Sequence, residues 1–354
     1  MKKVVVGLSG GVDSAVAASL LKNEYEVIGV TLQMQGGCFA LKDIEDAKNI
    51  AELLGIEHVV LDCQERFAAI KDYFVKAYLD GKTPNPCVVC NPLVKWTALC
   101  EYADKIGADY VATGHYAHVE KLDNGRYALK AADSNKDQTY ALYGLKQEQL
   151  QRTLMPLGRF TSKDEVRKIA KEIGLSVSDK PDSMEVCFIP DNDYAGFIVE
   201  YMKDDITGEA PSLPAMQPGN FVNEEGKVLG EHKGIIHYTI GQRKGLGIAF
   251  GEPMFVKEIK PESNEVVLAR NEDLFTTKLT AENVNLMGVS ELAEGMRAKA
   301  KIRYAHKGEM CTVVKYDDTS MELEFDNPVR AVTKGQAVVL YDEAGHVICG
   351  GIIE

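Results

Sequence analysis

Six consecutive residues near the start of the chain have the side chains and the backbone freedom that phosphate binding requires: Ser9-Gly10-Gly11-Val12-Asp13-Ser14. Two glycines allow the backbone to turn tightly and to approach a ligand closely. Free amides at the start of the helix that follows favour a phosphate. The segment lacks the Lys-Ser/Thr ending of a Walker A loop and the G-x-G-x-x-G spacing of a dinucleotide site. An acid beside a phosphate, here Asp13, indicates a Mg²⁺ ion or a departing group; a capped Gly-Gly turn is the alternative interpretation.

Cysteines are the second set of residues with reactive side chains. The chain has eight of them in 354 residues, too few for a disulfide framework. Cys87 and Cys90 form a Cys-x-x-Cys pair after Thr83-Pro84-Asn85-Pro86, whose prolines make the approach rigid. We interpret five others as small hydrophobic residues: Cys38, Cys63, Cys100, Cys311 and Cys349.

A nucleophilic cysteine needs an accessible thiolate, which a nearby cation or the start of a helix stabilises. Cys90 lies shortly before a helix that we expect to begin near Lys95, and that helix is expected to lower the pKa of Cys90. A third cysteine, Cys187, lies in the segment Asp182–Pro190, which follows Lys180-Pro181. In a reducing compartment, a close pair such as Cys87 and Cys90 indicates metal or redox chemistry.

A run of alternating cations, Arg297-Ala298-Lys299-Ala300-Lys301-Ile302-Arg303, is the third feature with a chemical role. In a strand, this alternation places four cations on one face and the apolar residues on the other. The net charge of −13 argues against indiscriminate binding of nucleic acid, but one basic strand in an acidic protein is a directed surface. Gln242-Arg243-Lys244-Gly245 adds cations, and Tyr304 could stack on a base. The alternative interpretation is a solvated charged face.

The elements that must position these residues alternate between strands and helices in the first half of the chain. The predicted order is strand Lys3–Leu8, helix Asp13–Leu21, strand Val27–Leu32, helix 44–54, strand His58–Leu61, helix Lys95–Ile106, strand Asp109–Ala112 and, further on, helix Lys163–Ile173. Such alternation indicates βαβ units and a parallel sheet. The Ser9–Ser14 loop is then expected at the carboxyl ends of the strands, where such sheets bind ligands.

The second half is predicted to consist of short strands. Three hairpins are expected: Met254–Ile259 with Glu265–Ala269, Cys311–Tyr316 with Met321–Phe325, and Ala337–Tyr341 with Val347–Cys349. Proline and glycine accumulate between Thr207 and Gly219, so a domain boundary is expected there. The expected domains are residues 1–205 with the parallel sheet, a central β-rich domain of residues 206–275, and a C-terminal β-barrel of residues 276–354.

The composition and the first residues of the chain indicate the cellular compartment in which the protein works. Hydrophobic residues make up 45% and charged residues 26%, which is ordinary for a globular protein with a core. The apolar run in the opening MKKVVVGLSGG is too short for a secretory signal. No stretch reaches the ~18 apolar residues of a membrane helix. We therefore expect a cytoplasmic protein without membrane contact.

The Ser9–Ser14 loop resembles the pyrophosphate loop of the ATP-pyrophosphatase superfamily, whose members cleave ATP to AMP and pyrophosphate and adenylate an oxygen on the substrate. The chain as a whole resembles the tRNA-specific 2-thiouridylase family. That resemblance is carried, in family order, by Gly7–Ser14, Asn85–Asn91, Thr113-Gly114-His115-Tyr116, Asn135-Lys136-Asp137-Gln138, Asp182–Pro190, the segment from Tyr238 to Gly247, and Gly350-Gly351-Ile352-Ile353. It implies an α/β fold, with a parallel-sheet nucleotide-binding domain of the ATP-pyrophosphatase type followed by a small β-rich central domain and a C-terminal β-barrel.

The resemblance also implies roles for individual residues. Cys187 would carry a persulfide, and Cys90 would be the second catalytic cysteine. The target base would contact Asn85, Pro86 and Cys87. ATP would contact Gly7, Leu8, Ser9, Gly10, Gly11, Val12, Asp13, Ser14, Leu32 and Gly114. The tRNA would contact His115, Lys136, Asp137, Gln138, Arg303, Tyr304 and Gln336.

One residue departs from the family pattern. Many members have an Asp where this chain has Cys87, so an acid that could act as general base is missing. Together with Cys90 and Cys187, Cys87 supplies three thiolates, which could hold a [4Fe–4S] cluster with one iron open for sulfide. The alternative, which we favour, is that Cys87 is a tolerated substitution.

The implied reaction is the ATP-dependent thiolation of the wobble uridine of tRNA, at position 34, to 2-thiouridine. ATP, with Mg²⁺, would activate the C2 oxygen of the extruded base as an adenylate, and sulfur from Cys187 would displace AMP. Cys90 would either cleave the persulfide to release hydrosulfide or resolve a disulfide with Cys187. The implied partners are tRNA, a sulfur donor (a persulfide relay protein or a cysteine desulfurase) and a reductant.

Other classes of function explain fewer of these features. An adenylating enzyme that acts on a small molecule needs neither the basic strand nor the additional β-domains. A Cys-x-x-Cys redox or sulfur-carrier protein leaves the Ser9–Ser14 loop unexplained, and a pure RNA-binding module explains neither the loop nor the cysteines. Pyrophosphate release measured with and without tRNA would separate these alternatives.

Overall fold

The computed structural model describes residues 1–175, 186–203, 212–248 and 251–354, and for residues 38–40 it describes the backbone only. Some sequence predictions fall outside these residues. They concern the segment from Lys180 to Glu185, which leads to Cys187, and the first domain boundary, at residues 205 and 206. The division into residues 1–205, 206–275 and 276–354 therefore remains a prediction.

The first part of the chain folds around a parallel β-sheet. Its elements are β1 (Lys3–Gly7), α1 (Val12–Leu21), β2 (Glu26–Gln33), α2 (Cys38–Leu54), β3 (Glu57–Asp62), α3 (Gln64–Leu79), α4 (Pro86–Cys90), α5 (Thr97–Ile106), β4 (Tyr110–Ala112), β5 (His118–Lys121), β6 (Tyr127–Lys130), α6 (Thr139–Leu142), α7 (Gln147–Leu150), β7 (Thr153–Leu154) and α8 (Lys163–Glu172). The sheet has the strand order β3-β2-β1-β4-β7, and every neighbouring pair is parallel. The α/β prediction is confirmed.

This sheet is buried on both faces, as the sequence of its central strand requires. Val4, Val5 and Val6 of β1 are all fully buried, and consecutive side chains of a strand point to opposite faces. On the face of Val4 and Val6 lies α1, whose residues Ala15–Ala18 are also fully buried. Small side chains let the helix approach the strand closely. The junction between β1 and α1, which carries the Ser9–Ser14 loop, is therefore held firmly by the core.

The predicted helix Lys95–Ile106 is confirmed as α5 (Thr97–Ile106). The chain before it is also helical, which we did not expect, and its first helix is α4, which begins at Pro86. The side chain of Asn85 caps it by accepting a hydrogen bond from the Cys87 amide at 3.1 Å, and a proline in the first helical turn loses no hydrogen bond there. The sequence prediction thus missed α4, although Asn-Pro is itself a recognised start signal.

A π-helical segment, Asn91–Trp96, joins α4 to α5 without a break. Proline inside a helix removes a main-chain hydrogen bond, and Pro92 lies inside this one. Here the Pro92 carbonyl accepts hydrogen bonds from the Thr97 hydroxyl at 2.8 Å and from Gln149 Nε2 at 3.1 Å. Widened turns of this kind are frequent at functional sites, and this one lies next to the Cys-x-x-Cys pair.

Mostly antiparallel strands form the second half of the chain. Its elements are α9 (Tyr194–Tyr201), β8 (Gly219–Val222), β9 (Val228–His232), β10 (Phe255–Lys260), β11 (Glu265–Ala269), β12 (Phe275–Leu286), β13 (Arg297–Lys301), β14 (Glu309–Tyr316), β15 (Ser320–Arg330), β16 (Ala337–Tyr341) and β17 (Val347–Ile353). A four-stranded sheet has the order β10-β11-β8-β9, and the other strands close a barrel, β12-β15-β14-β13-β16-β17. The three predicted hairpins are confirmed as β10–β11, β14–β15 and β16–β17.

The hairpin β5–β6 attaches the first part of the chain to the barrel. Arg126 donates hydrogen bonds from Nε to the Met287 carbonyl at 2.9 Å and from Nη2 to the Leu286 carbonyl at 2.8 Å. Asn124 donates to the Gly288 carbonyl at 2.9 Å. These carbonyls lie at the end of β12, so main-chain acceptors of the barrel hold the hairpin. In the described parts of the chain, none of the helices has the length and apolarity needed to cross a membrane.

Candidate active site

The loop between β1 and α1 has backbone positions that only glycine fits. Gly10 has a φ of +71°, and a Cβ there would lie 2.6 Å from the carbonyl oxygen of Asp43. Gly114, which follows β4, lies against the same loop, since a Cβ there would lie 2.6 Å from the Asp13 carbonyl carbon and from the Ser14 amide nitrogen. Both glycines therefore allow a close approach of backbone segments.

Ser14 fixes the shape of the loop through its hydroxyl group. It accepts a hydrogen bond from the Ser9 amide at 3.1 Å and donates one to the Gly11 carbonyl at 3.0 Å. The side chains of Leu8 and Val12 are 2% and 4% exposed, so they anchor the loop in the core. A nucleotide would meet these two residues only through their backbone.

The predicted ATP contacts outside the loop lie at the same edge of the sheet. Gly7 ends β1, Leu32 lies near the end of β2, and Gly114 follows β4. These three strands are neighbours in the order β2-β1-β4. Because the strands are parallel, their carboxyl ends meet at one edge, where sheets of this type bind ligands.

Asp13 is held by two partners, Tyr116 and Lys163, for which the sequence pattern predicts no role. The Tyr116 hydroxyl donates to Asp13 Oδ1 at 2.7 Å, and Lys163 forms an ion pair with the other carboxylate oxygen. The Lys163 side chain is only 9% exposed. It is the first residue of α8, whose N-cap is Ser162. A buried ammonium group beside a phosphate loop is a candidate phosphate ligand, but 150 residues separate it from Asp13, and no local pattern links the two.

The structure brings the three predicted cysteines together near the carboxyl end of β2. Gln35, which follows β2, donates from Nε2 to the Cys187 carbonyl at 3.2 Å. The thiol of Cys90 interacts electrostatically with those of Cys87 and Cys187. Cys87 and Cys187 are exposed, whereas Cys90 is buried. Two accessible thiols therefore lie beside one that is shielded from solvent.

Burial raises the pKa of Cys90 to about 12, and the neighbouring thiols add to the effect, while Lys95 opposes it. Desolvation by crowding atoms also raises the pKa of Cys187, although its side chain reaches solvent, and Lys95 again opposes the shift. The expectation that a helix start lowers the pKa of Cys90 is wrong, because Cys90 is the last residue of α4 and lies away from the helix N-terminus. The cation that favours both thiolates is Lys95.

The positions of the possible ligands decide whether a metal fits. Among the residues that the structure describes, no three His, Cys, Asp or Glu side chains are grouped so that they could hold a metal ion. A [4Fe–4S] cluster would need the sulfur atoms of Cys87, Cys90 and Cys187 to converge on one site, and although the three residues are neighbours their side chains are not grouped in that way. This arrangement does not fit a cluster.

Several residues predicted to contact tRNA use their side chains to hold the local structure. His115 Nδ1 lies 2.9 Å from Thr113 Oγ1, and burial lowers the pKa of His115 to about 3, so its ring is neutral at pH 7. Gln138 Oε1 accepts a hydrogen bond from the Tyr116 amide at 2.9 Å. Asp137 accepts hydrogen bonds from two backbone amides and one hydroxyl. Their contact with tRNA stays a prediction.

The basic run forms β13 as far as Lys301, and within the strand its side chains alternate as predicted: Arg297 and Lys299 are exposed, whereas the two alanines are buried. The fourth predicted cation, Arg303, lies beyond the end of the strand. The charge is partly compensated, because Arg297 and Lys301 form ion pairs with aspartates. Lys299 and Arg303 have no carboxylate partner within the described parts of the chain. Tyr304, just beyond the strand, is 51% exposed. The surface available to a polyanion is thus narrower than the sequence indicated.

Gln336 connects the barrel to the segment predicted to meet the target base. Its Nε2 donates to the Thr83 carbonyl at 2.7 Å, and the Thr83 amide donates to the Lys334 carbonyl at 2.9 Å. The segment Asn85–Cys87 begins two residues further on. The barrel therefore helps to hold this segment in position.

Three family models match consecutive parts of the chain. Residues 2–191 match a tRNA methyl transferase HUP domain. Residues 212–270 match a tRNA methyl transferase PRC-barrel domain. Residues 276–353 match an aminomethyltransferase beta-barrel domain.

Proteins named tRNA-specific 2-thiouridylase MnmA are similar to this chain over its full length. The one from Lachnoclostridium phytofermentans is 54% identical and covers 99% of this chain and 99% of its own. The one from Clostridium kluyveri is 50% identical and covers 100% of this chain and 99% of its own. Among solved structures, the U34-tRNA thiolase NcsA from Methanococcus maripaludis with its [4Fe-4S] cluster has a TM-score of 0.37 and 22% identity, over 53% of this chain and 62% of that chain.

Proposed function

The chain belongs to the tRNA-specific 2-thiouridylase family, and on that premise we propose that it uses ATP to replace the C2 oxygen of the wobble uridine with sulfur. Family membership makes it a tRNA-modifying enzyme. Two of the matching models are described as tRNA methyl transferase domains, but the relatives that match the whole chain are named thiouridylases. One observation carries the proposal: a glycine loop suited to phosphate and three cysteines lie at the same edge of one parallel sheet.

The first step is adenylation of the uridine. ATP enters as its magnesium complex, and its phosphates lie along Ser9–Ser14, where Gly10 and Gly114 allow close approach. The C2 oxygen attacks the α-phosphorus, and pyrophosphate leaves with its charge stabilised by the loop amides. Lys163 exchanges its contact with Asp13 for one with the leaving pyrophosphate. Once Lys163 contacts the phosphates, Asp13 would be available to hold a magnesium ion, which would neutralise part of the phosphate charge.

The second step transfers sulfur from a persulfide on Cys187. In one route, Cys90 attacks the inner sulfur of Cys187, and the released hydrosulfide attacks C2 and displaces AMP. In the other, the outer sulfur attacks C2 and displaces AMP, and Cys90 then attacks the Cys187 sulfur to release thiouridine. Both routes leave a Cys90–Cys187 disulfide, so a reductant must supply two electrons. Because burial holds Cys90 as a thiol, Lys95 is the group that favours its ionisation.

The positions of the two thiols suit these roles. Cys187 is exposed, so a sulfur donor, either a persulfide relay protein or a cysteine desulfurase, has access to it. Cys90 is buried, which protects it from other oxidants until the base arrives. In this proposal residues 1–205 catalyse the reaction in the cytoplasm, and residues 206–275 and 276–354 help to bind the tRNA.

The test measures pyrophosphate and 2-thiouridine together, with full-length protein, ATP, a sulfur donor and either substrate tRNA or none. Pyrophosphate release that requires tRNA, with one thiouridine for each pyrophosphate, supports the proposal. Cys187→Ser should release pyrophosphate yet form no thiouridine, whereas the control Cys100→Ser, at a half-buried cysteine of α5, should behave as wild type. Equal pyrophosphate release without tRNA would indicate a small-molecule substrate instead.

A further inference from the structure

Two hydrogen bonds connect the start of the Ser9–Ser14 loop to the edge strand of the parallel sheet. The hydroxyl group of Thr31, on β2, donates to the Leu8 carbonyl at 2.9 Å, and its oxygen lies 2.8 Å from His58 Nε2. On the neighbouring edge strand β3, Val60 lies opposite Thr31, so His58, two residues earlier, is on the same face of the sheet. The proposed reaction gives His58 and Thr31 no role.

The single hydrogen of the Thr31 hydroxyl decides the direction of both hydrogen bonds. A carbonyl oxygen can only accept, so this hydrogen points to Leu8. Thr31 is only 5% exposed, and buried carbonyl groups are nearly always hydrogen-bonded. The Thr31 oxygen must then accept from His58, which requires a hydrogen on Nε2. We call this series, from His58 through Thr31 to the Leu8 carbonyl, the hydrogen-bond chain.

The hydrogen-bond chain ends on the peptide that joins Leu8 to Ser9, and this peptide is held on both sides. Its carbonyl oxygen accepts from Thr31, and its amide donates to the Ser14 hydroxyl at 3.1 Å. The amide therefore points into the loop. A rotation of the peptide would exchange the two groups and turn a partly negative oxygen towards the loop, whose amides are suited to an anion.

Other contacts hold the rest of Leu8 in place. Its amide donates to the Val30 carbonyl at 2.8 Å. A Cβ at Gly29 would lie 2.4 Å from Leu8 Cδ1, so the Leu8 side chain packs directly on β2. The carbonyl is thus the group of Leu8 whose direction depends on Thr31. Thr31 also immediately precedes Leu32, which is predicted to contact ATP.

We propose that His58 is a positioning residue for ATP, because its hydrogen bond to Thr31 keeps the Leu8 carbonyl turned away from the phosphates. The inference rests on the proposed function, since it takes ATP as the ligand of the loop. Without a hydrogen on Nε2, the Thr31 hydroxyl turns towards the imidazole ring, and the Leu8 carbonyl loses its donor. The loop then binds phosphate less tightly, although no residue that contacts ATP has been changed.

The test measures the affinity of the full-length protein for the magnesium complex of α,β-methylene-ATP, which cannot be cleaved to AMP. His58→Phe keeps a ring but has no donor, and it should bind the analogue about fivefold more weakly. Thr31→Val removes the hydroxyl and should have the same effect. Because both substitutions break one hydrogen-bond chain, the double variant should lose no more affinity than either single variant. His58→Gln, whose side-chain amide can donate to Thr31, should restore the wild-type affinity.

Kinetic constants separate positioning from a general loss of stability. In pyrophosphate release with saturating tRNA, His58→Phe should raise the KM for ATP about fivefold and leave kcat nearly unchanged. A protein that is partly unfolded would instead show a lower kcat at an unchanged KM. His237→Phe is the matched control, because His237 is exposed and lies on the short helical segment Ile235–His237, outside the parallel sheet. This control should change neither constant.

A measurement on the wild-type protein needs no variant to fold. Desolvation by neighbouring atoms, with the charge of Lys48, lowers the pKa of His58, so its ring is neutral at and above neutral pH. Nitrogen chemical shifts in NMR then show which ring nitrogen carries the hydrogen. We expect Nε2, and a hydrogen on Nδ1 would overturn the proposal.

The outcomes distinguish this proposal from the proposed function. If the wild-type protein does not bind the ATP analogue, the proposed function fails. If the wild-type protein binds it, and folded His58→Phe and Thr31→Val proteins bind it equally tightly, only the role of His58 is wrong.

Discussion

At the residue scale, the contact between Asp13 and Lys163 links the phosphate loop to α8. Lys163→Met should slow pyrophosphate release at least about tenfold, since a hydrogen bond to a charged group contributes ~1.5–3 kcal/mol. Asp13→Ala should abolish thiolation while the fold stays intact. Because the two side chains are in contact, the effects of the double variant should not be additive. The rate of steady-state pyrophosphate release with saturating tRNA is measured for the two single variants and for the double variant.

Lys168→Met is the control for charge on the same helix. Its side chain is 78% exposed, and its ammonium group lies 4.0 Å from the carboxylate of Glu172. An exposed pair of this kind contributes little to stability. This variant should release pyrophosphate at the wild-type rate. Unchanged release from Asp13→Ala would show that the loop has been assigned wrongly.

Cys87 distinguishes the persulfide mechanism from the cluster mechanism. Two sulfurs suffice for persulfide transfer, so Cys87→Ser should retain most of its thiolation activity in protein purified in air. Cys90→Ser and Cys187→Ser should lose that activity. The test measures the amount of thiouridine formed, together with the iron and sulfide content of protein prepared without oxygen. About four irons and four sulfides per chain, lost together with activity in Cys87→Ser, would contradict the persulfide mechanism.

Candidate site residues that lie in one continuous segment could be predicted from the sequence. Residues that come together only when the chain folds could not. The Ser9–Ser14 loop and the Cys-x-x-Cys pair are continuous segments with a chemical pattern. Lys163 and Tyr116 meet Asp13 only because α8 and the segment after β4 pack beside α1. The raised pKa of Cys90 could not be foreseen either, since it results from burial.

At the element scale, β13 is the candidate tRNA surface within the barrel. Lys299→Ala combined with Arg303→Ala should weaken tRNA binding and reduce the log–log salt slope by about 0.7–0.9 for each phosphate that the protein no longer neutralises. Adding Lys301→Ala should change the slope less, because Lys301 lies 3.6 Å from the Asp137 carboxylate. Filter binding over a range of salt concentrations measures the slope.

The matched control for this surface is Lys315→Ala on β14. Lys315 is 63% exposed and already lies 3.7 Å from the carboxylate of Glu322, so its loss should leave the slope unchanged. If Lys299→Ala with Arg303→Ala leaves the slope unchanged as well, β13 is only a solvated charged face.

Strand pairs that are close in sequence could be predicted from the sequence, whereas pairs of distant strands could not. Hairpins such as β14–β15 follow from alternation on either side of a short turn, and they were predicted. Closure of the barrel depends on the pairs β12–β17 and β13–β16, which join distant strands. No local sequence pattern specifies such pairs. The sequence therefore predicted that the C-terminal domain is a β-barrel, but it did not predict the order of the strands.

At the scale of the whole molecule, a histidine joins the β5–β6 hairpin to the barrel. His346 Nε2 lies 2.9 Å from Glu120 Oε2 on β5, and Nδ1 lies 2.9 Å from Asp342 Oδ2 at the end of β16. Lys130 on β6 also pairs with Glu120, at 3.1 Å. A protonated His346 can donate to both carboxylates, whereas the neutral ring can donate to only one.

This contact should make stability depend on pH with a definite sign. Burial opposes the charge of His346, but the hydrogen bonds to Glu120 and Asp342 outweigh it and raise the pKa. When the pKa of a histidine is higher in the folded state than in the unfolded state, its protonation stabilises the fold. This stabilisation is complete at pH values below the ordinary pKa of about 6.5, and it is lost as the pH rises through the pKa of the folded state.

His346→Gln should therefore lower the melting temperature most near pH 6, and the difference from wild type should shrink towards about pH 9. His237 is the control: crowding by neighbouring atoms, with the charge of Lys233, lowers its pKa although its side chain reaches solvent, so His237→Gln should give a smaller trend of the opposite sign. A difference for His346→Gln that stays constant from about pH 6 to 9 would show that the contact with the barrel does not depend on the charge of the histidine.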